Sequence, residues 1–232
     1  MHRTPHLDAH YEAELQALAL HLVKTGTRAE AMARDAVRAL LDRDAALARS
    51  VVAMDRDLDR LELETDQICI HLLARRSPVG SDLRLVTTAL KVVIDMERIG
   101  DLAVNIAKRS LELAPEPGIE PTPEVEALAD GAVDLCSRAM RALNNRDADA
   151  ARALAAEDQK LDDLNRAVFH RMIGFAKDHN DQLERALAYT SVSRYLERIA
   201  DHSVNIAEMV VYLVEGKVVR HQGPPNEGQR PE

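Results

Sequence analysis

Over residues 45–76 the inward positions fall at Val51, Met54, Leu58, Leu61, Thr65, Ile68 and Leu72. The steps alternate three and four without a miss, which is the seam of a long helix packed in a bundle. The rhythm returns over residues 82–113 at Leu85, Ala89, Val92, Met96, Ile99, Ala103 and Ile106. It returns again in a helix ending near Glu215, at Val192, Leu196, Ile199, Ser203, Ile206, Val210 and Leu213. A first helix is predicted over residues 7–41 from Leu15, Leu18, Leu22, Met32, Ala36 and Ala39. A fifth, following a fourth that begins at Glu124, carries Leu154, Leu161, Leu164, Val168 and Phe175 on one rod. Gly26 inside the first helix costs about 1 kcal/mol relative to Ala and permits a bend there.

Polar and breaker residues punctuate these rods. Asp42-Arg43-Asp44 reads as a turn with Asp44 capping the second helix. Ser77-Pro78-Val79-Gly80-Ser81 separates the second helix from the third, and Asp178-His179-Asn180-Asp181 separates the fifth from the sixth. Residues 115–123 hold four prolines and a glycine, a linker between halves. Thr122-Pro123-Glu124 is a helix start, cap and then Pro in the first turn. The expected fold is all-α: six long helices in two tandem three-helix bundles. The first bundle covers residues 1–114, the linker 115–123, the second bundle 124–216 and a disordered tail 217–232.

The two halves are copies. Glu97 to Ala107 and Glu197 to Ala207 agree at eight of eleven positions without a gap, the mark of two copies of one structural unit. Both copies place Glu, Asp and Asn at i, i+4 and i+8, one stripe of a helix. Asp55 and Asp59 in the second helix recur as Asp158 and Asp162 in the fifth.

Long helices joined by short turns pack antiparallel, so residues equidistant from a turn face each other. Asp59 with Glu97, and Asp55 with Asp101, are both centred on Pro78. Asp162 with Glu197, and Asp158 with Asp201, are both centred between His179 and Asn180. Each hairpin thus opposes two carboxylates to two more. Like charges at i,i+4 cost about 0.2–0.5 kcal/mol per pair, so something neutralises them. Protonation, an arginine (Arg56, Arg98 or Arg198) or a metal would do it. An oxygen-only set suits hard cations such as Mg²⁺, Mn²⁺ or ferric iron. Asn105 and Asn205 are outer ligands or members of side-chain networks. His202 adjoins Asp201, but Leu102 stands at the matching place, so the repeat gives it no ligand role.

Composition narrows the function. Aromatic residues are 3% of the chain, hydrophobic 46% and charged 30%, which favours helix over strand. A net charge of −9 argues against nucleic acid as a partner. Cys69 and Cys136 form no CxxC pair and fall on apolar faces, as buried thiols in a reducing compartment do. Residues 1–30 lack a signal-like pattern, and no apolar run approaches the ~20 residues of a membrane span. A cytoplasmic protein is expected. There is no phosphate-binding glycine loop and no Ser-His-Asp set, so no enzyme is expected.

Three stretches together resemble the PhoU family: Asp95 to Asp101, Tyr195 to His202, and Ser77 to Arg84. The likeness extends from about Leu15 to Glu215. It implies two three-helix bundles related by pseudo-twofold symmetry, each able to hold a multinuclear iron or zinc cluster. Carried over by position, the ligands are Asp55, Asp59, Glu97 and Asp101 in one half, and Asp158, Asp162, Glu197 and Asp201 in the other. Ala200 stands where the motif has Gly. The resemblance implies a negative regulator of phosphate uptake and of the phosphate-starvation response. Its implied partners are the ATPase of a phosphate ABC transporter and a sensor histidine kinase, and a homodimer or higher oligomer is expected. Membrane contact would come only through partners. A ferritin-like di-iron enzyme needs Glu-x-x-His on two helices, and Gly100 and Ala200 occupy the His positions. A metal-free helical adaptor or spacer is the other alternative.

Overall fold

The computed structural model describes residues 9–114, 121–155 and 157–219. Its helices are α1 (Ala9–Leu41), α2 (Ala45–Arg76), α3 (Gly80–Leu113), α4 (Pro123–Asn145), α5 (Ala148–Ala155), α6 (Asp158–Asp178) and α7 (Leu183–Glu215), with a 3₁₀ turn at Asn180–Gln182. No strand occurs among the described residues. Helices α1–α3 form one bundle and α4–α7 the other, joined chiefly by α3 against α7. Most of the predicted linker, residues 115–120, lies outside the described residues, as does the predicted tail beyond residue 219.

The predicted seams are the core. All seven seam positions of α3 and all seven of α7 are buried. The two polar members, Thr65 and Ser203, donate their hydroxyls to the carbonyls of Leu61 and Ile199 at 2.7 Å, so burial leaves neither unpaired. The caps follow the sequence too. Asp44 Oδ1 accepts from the amides of Ala46 and Leu47 at 2.9 and 3.0 Å. Asp147, its counterpart in the second half, accepts from Ala150 at 3.0 Å. The residues just before these caps, Arg43 and Arg146, both adopt left-handed conformations at φ 54° and 52°, so even the strain of the turn is duplicated.

Two features differ from the expectation. The fifth rod is not continuous: it splits into α5 and α6 just before Asp158. No Gly or Pro causes the split. Glu157, at the junction, instead takes a two-pronged ion pair from Arg138 of α4 at 2.6 and 2.8 Å, while Arg152 of α5 pairs with Glu215 of α7. Both segments pack between α4 and α7, and these ion pairs flank the junction from either side. Gly26 does not interrupt α1, which runs unbroken from Ala9 to Leu41. A Cβ there would sit 2.9 Å from Met140 Sδ and 3.2 Å from Met96 Cε, so the glycine admits the methionine of α4 to the contact between halves.

Helices α3 and α7 run antiparallel. Arg84 near the start of α3 donates to the Leu213 carbonyl near the end of α7 at 3.3 Å, and Asp95 meets His202. Lys91 lies over the Tyr212 ring, 5.8 Å from its centroid. This antiparallel pairing of equivalent helices is what the pseudo-twofold relation implied by the resemblance requires.

Candidate functional site

The predicted acids of the first half lie at the rim of the α2–α3 seam. Asp55 follows half-buried Met54, Asp59 follows buried Leu58, and Glu97 follows buried Met96. Asp59 is exposed; Asp55, Glu97 and Asp101 are half-buried. Partial burial raises the Asp55 pKa above its ordinary value, and the charges of Asp59 and Asp101 push it further, against Lys108. The influence of Asp101 on Asp55 is what equidistance from Pro78 requires.

Glu97 is the most perturbed member. Burial comes first, then the charge of Asp101, and a hydrogen bond to that carboxyl and the charge of Glu62 add to the effect; Arg98 opposes them, and the pKa rises to about 7. Arg98 supplies partial relief from the surface. Its Nη1 donates to Asp101 Oδ2 at 3.3 Å, and its Nε lies 3.5 Å from Glu97 Oε2.

Glu62 is a member that the sequence reading missed. Burial raises its pKa, as do Asp66, Asp59 and Asp101, again against Arg98. The signal was present: Asp55, Asp59, Glu62 and Asp66 step by four, three and four along one face of α2. The repeat concealed it, because the positions matching Glu62 and Asp66 are Asn165 and Phe169.

In the second half Asp162 and Glu197 are half-buried and Asp201 is exposed. Asp158 opens α6 directly after the break in the rod; its side chain lies outside the described residues. His202 and Asn205 belong elsewhere. His202 Nδ1 lies 2.8 Å from Asp95 Oδ1, and Asn205 Nδ2 donates to the same oxygen at 3.3 Å. They join α7 to α3 across the halves. Their repeat counterparts, Leu102 for His202 and Tyr195 for Asp95, break the pattern, so only the antiparallel packing brings them together.

In chemistry the first-half set suits a hard cation: every donor is a carboxylate, and the charges of Asp59, Glu62 and Asp101 oppose ionisation of their neighbours. As they stand, no three His, Cys, Asp or Glu side chains among the described residues converge closely enough to hold an ion. The thiols stand apart. Cys69 and Cys136 are buried in the core, and burial pushes each up to about 12. No helix among the described residues is long and apolar enough to cross a membrane.

Comparison with known proteins identifies the architecture. The family model described as the PhoU domain matches residues 22–110 and again residues 125–210, one match per bundle. A phosphate-specific transport system accessory protein PhoU homolog of Pseudomonas putida is 37% identical over 222 residues, covering 95% of this chain and 86% of that one. The Escherichia coli phosphate-specific transport system accessory protein PhoU is 28% identical, over 94% of this chain and 90% of its own. Among solved structures, the crystal structure of PhoU from Pseudomonas aeruginosa superposes with a TM-score of 0.85 at 36% identity, covering 89% of this chain and all of that one. The phosphate transport system regulatory protein PhoU from Streptococcus pneumoniae gives 0.81 at 27% identity, covering 90% of this chain and 99% of that one. With both bundles matched in order and relatives aligned along nearly their whole length, the chain belongs to the PhoU family.

Proposed function

We propose that this protein is a cytoplasmic negative regulator of phosphate uptake and of the phosphate-starvation response. It acts by contact with the ATPase of a phosphate ABC transporter and with a sensor histidine kinase. The observation that carries this reading is the doubled PhoU match, backed by relatives named as transport accessory proteins over 94–95% of the chain. The bundles offer long helix faces, which suits a protein that works by binding.

Asp55, Asp59, Glu97 and Asp101, joined by Glu62, would hold a hard cation in the first half. Asp158, Asp162, Glu197 and Asp201 would hold one in the second. Iron, zinc, magnesium and manganese are the candidates. When bound, the ion supplies positive charge that lets the clustered carboxyls ionise together. Without it, Glu97 keeps a proton near neutral pH and Arg98 screens the remainder. That screening favours one second reading, a metal-free adaptor with the same partners.

The test is a strain deleted for the gene, with a phosphate-starvation promoter read in phosphate-replete medium. The promoter is expected to be on in the deletion and off once the wild-type gene returns. A promoter indifferent to the gene would remove the regulatory reading. Metal analysis of untagged protein, beside the Glu97→Gln/Asp101→Asn variant, separates the metal reading from the adaptor. Loss of ions from the first half supports the former; no metal in either protein leaves the latter.

A further inference from the structure

The second hairpin carries a feature that the carboxylate sites do not use. Near its turn, α6 and α7 leave an open groove of about 400 Å³. Phe169, Ile173, Leu183 and Leu187 line it and remain 45%, 40%, 48% and 56% exposed. Single exposed apolar residues are ordinary on a protein surface, but four gathered in one concavity are not. Phe169 is one of only two phenylalanines in the chain.

The duplicated hairpin provides an internal control. Ile173 and Leu183 have exposed counterparts in Ile70 and Leu83. Phe169 and Leu187 correspond instead to Asp66 and Thr87. Half of the apolar floor therefore belongs to the second hairpin alone.

The charges are specific to it as well. In the antiparallel register about His179 and Asn180, Arg166 falls opposite Ser193 and Arg194, just beyond the inner end of the floor. Lys177, which lines the groove, stands at the turn end. All three cations are exposed. Arg166 has one ion-pair partner, Asp163. The first hairpin places Leu63, Ile94 and Ala74 at these three positions. Where the first hairpin is apolar at these places the second carries a cation at each, with Asp178 and Asp181 following Lys177 in the turn.

From Arg166 to Lys177 α6 runs about 16 Å at ~1.5 Å per residue, three turns of a helix. A third helix laid between two antiparallel ones completes a three-helix packing, with its apolar stripe on the floor. A concave floor of this width suits a helix better than the flat face of a bilayer. A second copy of the chain would bring cations to cations, whether by the same groove or by the first hairpin's tip with Arg75 and Arg84. We propose that the α6–α7 groove docks an amphipathic helix of about three turns from another protein, with carboxylates at both ends of its apolar stripe. The occupant is defined by this chemistry, independently of the phosphate reading.

The experiment replaces Phe169 with photoreactive benzoylphenylalanine in the full-length protein in cells and identifies the cross-linked peptide by mass spectrometry. The expected adduct is one helical peptide with Asp or Glu flanking its apolar stripe. Its yield should fall at least fivefold in Lys177→Glu/Arg194→Glu and recover in Lys177→Arg/Arg194→Lys. A synthetic copy of that peptide should bind the purified protein at least tenfold more weakly when the charges are reversed. Circular dichroism confirms that each variant is folded. No adduct, an adduct to lipid or to a second copy, a peptide without flanking acids, or indifference to charge reversal would each overturn the proposal. A matching peptide from a protein unconnected with phosphate would uphold the groove and count against the phosphate reading.

Discussion

The two hairpins solve one packing problem in two ways. Leu58 in α2 and Leu161 in α6 are the same seam leucine, 103 residues apart, and both are buried. In the first half Leu58 leans onto α3, where a Cβ at Gly100 would overlap its Cδ2. In the second half Ala200 fills the Gly100 position and bars that approach. Leu161 leans onto α4 instead, where a Cβ at Gly131 would fall 2.6 Å from its Cδ2. Arg28 stands at the place matching Gly131 in the first half. Each leucine has one glycine opposite it, on a different helix. A duplicated fold therefore conserves the volume that must be filled and not the residue that makes room for it. The acid stripe diverged in the same way: four carboxylates on α2 become two on α6, with Asn165 and Phe169 in the vacated places.

The largest test of this exchange removes the leucines. Leu58→Ala and Leu161→Ala should each cost about 2–5 kcal/mol in urea unfolding. Filling the glycines comes next. Gly100→Ala and Gly131→Ala should each cost about 1–3 kcal/mol, because a buried leucine must shift. The sharper form is a double-mutant cycle: Gly100→Ala should cost much less in the Leu58→Ala background, and Gly131→Ala much less in Leu161→Ala. Gly100→Ala should show no such coupling to Leu161→Ala.

The acid stripe gives a smaller effect, read against pH. The folded protein without metal holds the Glu97 proton more tightly than the unfolded chain does, at about 7 against an ordinary 4.5. Protons are thus bound on folding between these values, and stability falls as pH rises through that window. Glu97→Gln should flatten that fall by on the order of 1–2 kcal/mol, measured by denaturant titration at pH 5 and pH 8. A saturating hard cation should reverse the slope in the wild type, because it favours the ionised carboxyl. The smallest effect concerns the broken rod. Arg138→Ala releases Glu157 from a surface ion pair and should cost no more than about 1 kcal/mol. Faster amide exchange confined to the α5–α6 junction should accompany it.

Seams, caps and turns were legible because each depends on residues near in sequence: a 3–4 spacing, an Asp before a helix, a Pro in a turn. Facing acids were legible by one further step, since a short turn fixes the register of a hairpin. Asp101 influences Asp55 as that register requires, whereas the α2 carboxylate that acts on Glu97 is Glu62. What eluded sequence reading depends on contacts between elements distant in the chain. The split before Asp158 has no breaker residue, and the ion pairs beside it, Glu157 with Arg138 and Arg152 with Glu215, draw on two other helices. The Asp95–His202–Asn205 cluster requires α3 to lie against α7. Glu62 was visible in the spacing but masked by reliance on the repeat, which its counterpart Asn165 does not preserve.

The antiparallel contact of α3 with α7 has a mechanical consequence. It sends the turn at Pro78 and the turn at Asn180 to opposite ends of the molecule. Their separation is set by the 34 residues of α3, roughly 50 Å at ~1.5 Å per residue. A body of ~100 residues has a radius of gyration of only about 13 Å, so one such body cannot reach both turns. The two turns are therefore surfaces that a single small domain meets only one at a time. Two bodies held at these ends would share one tether length, each raising the local concentration of the other at a distance measured in helical turns.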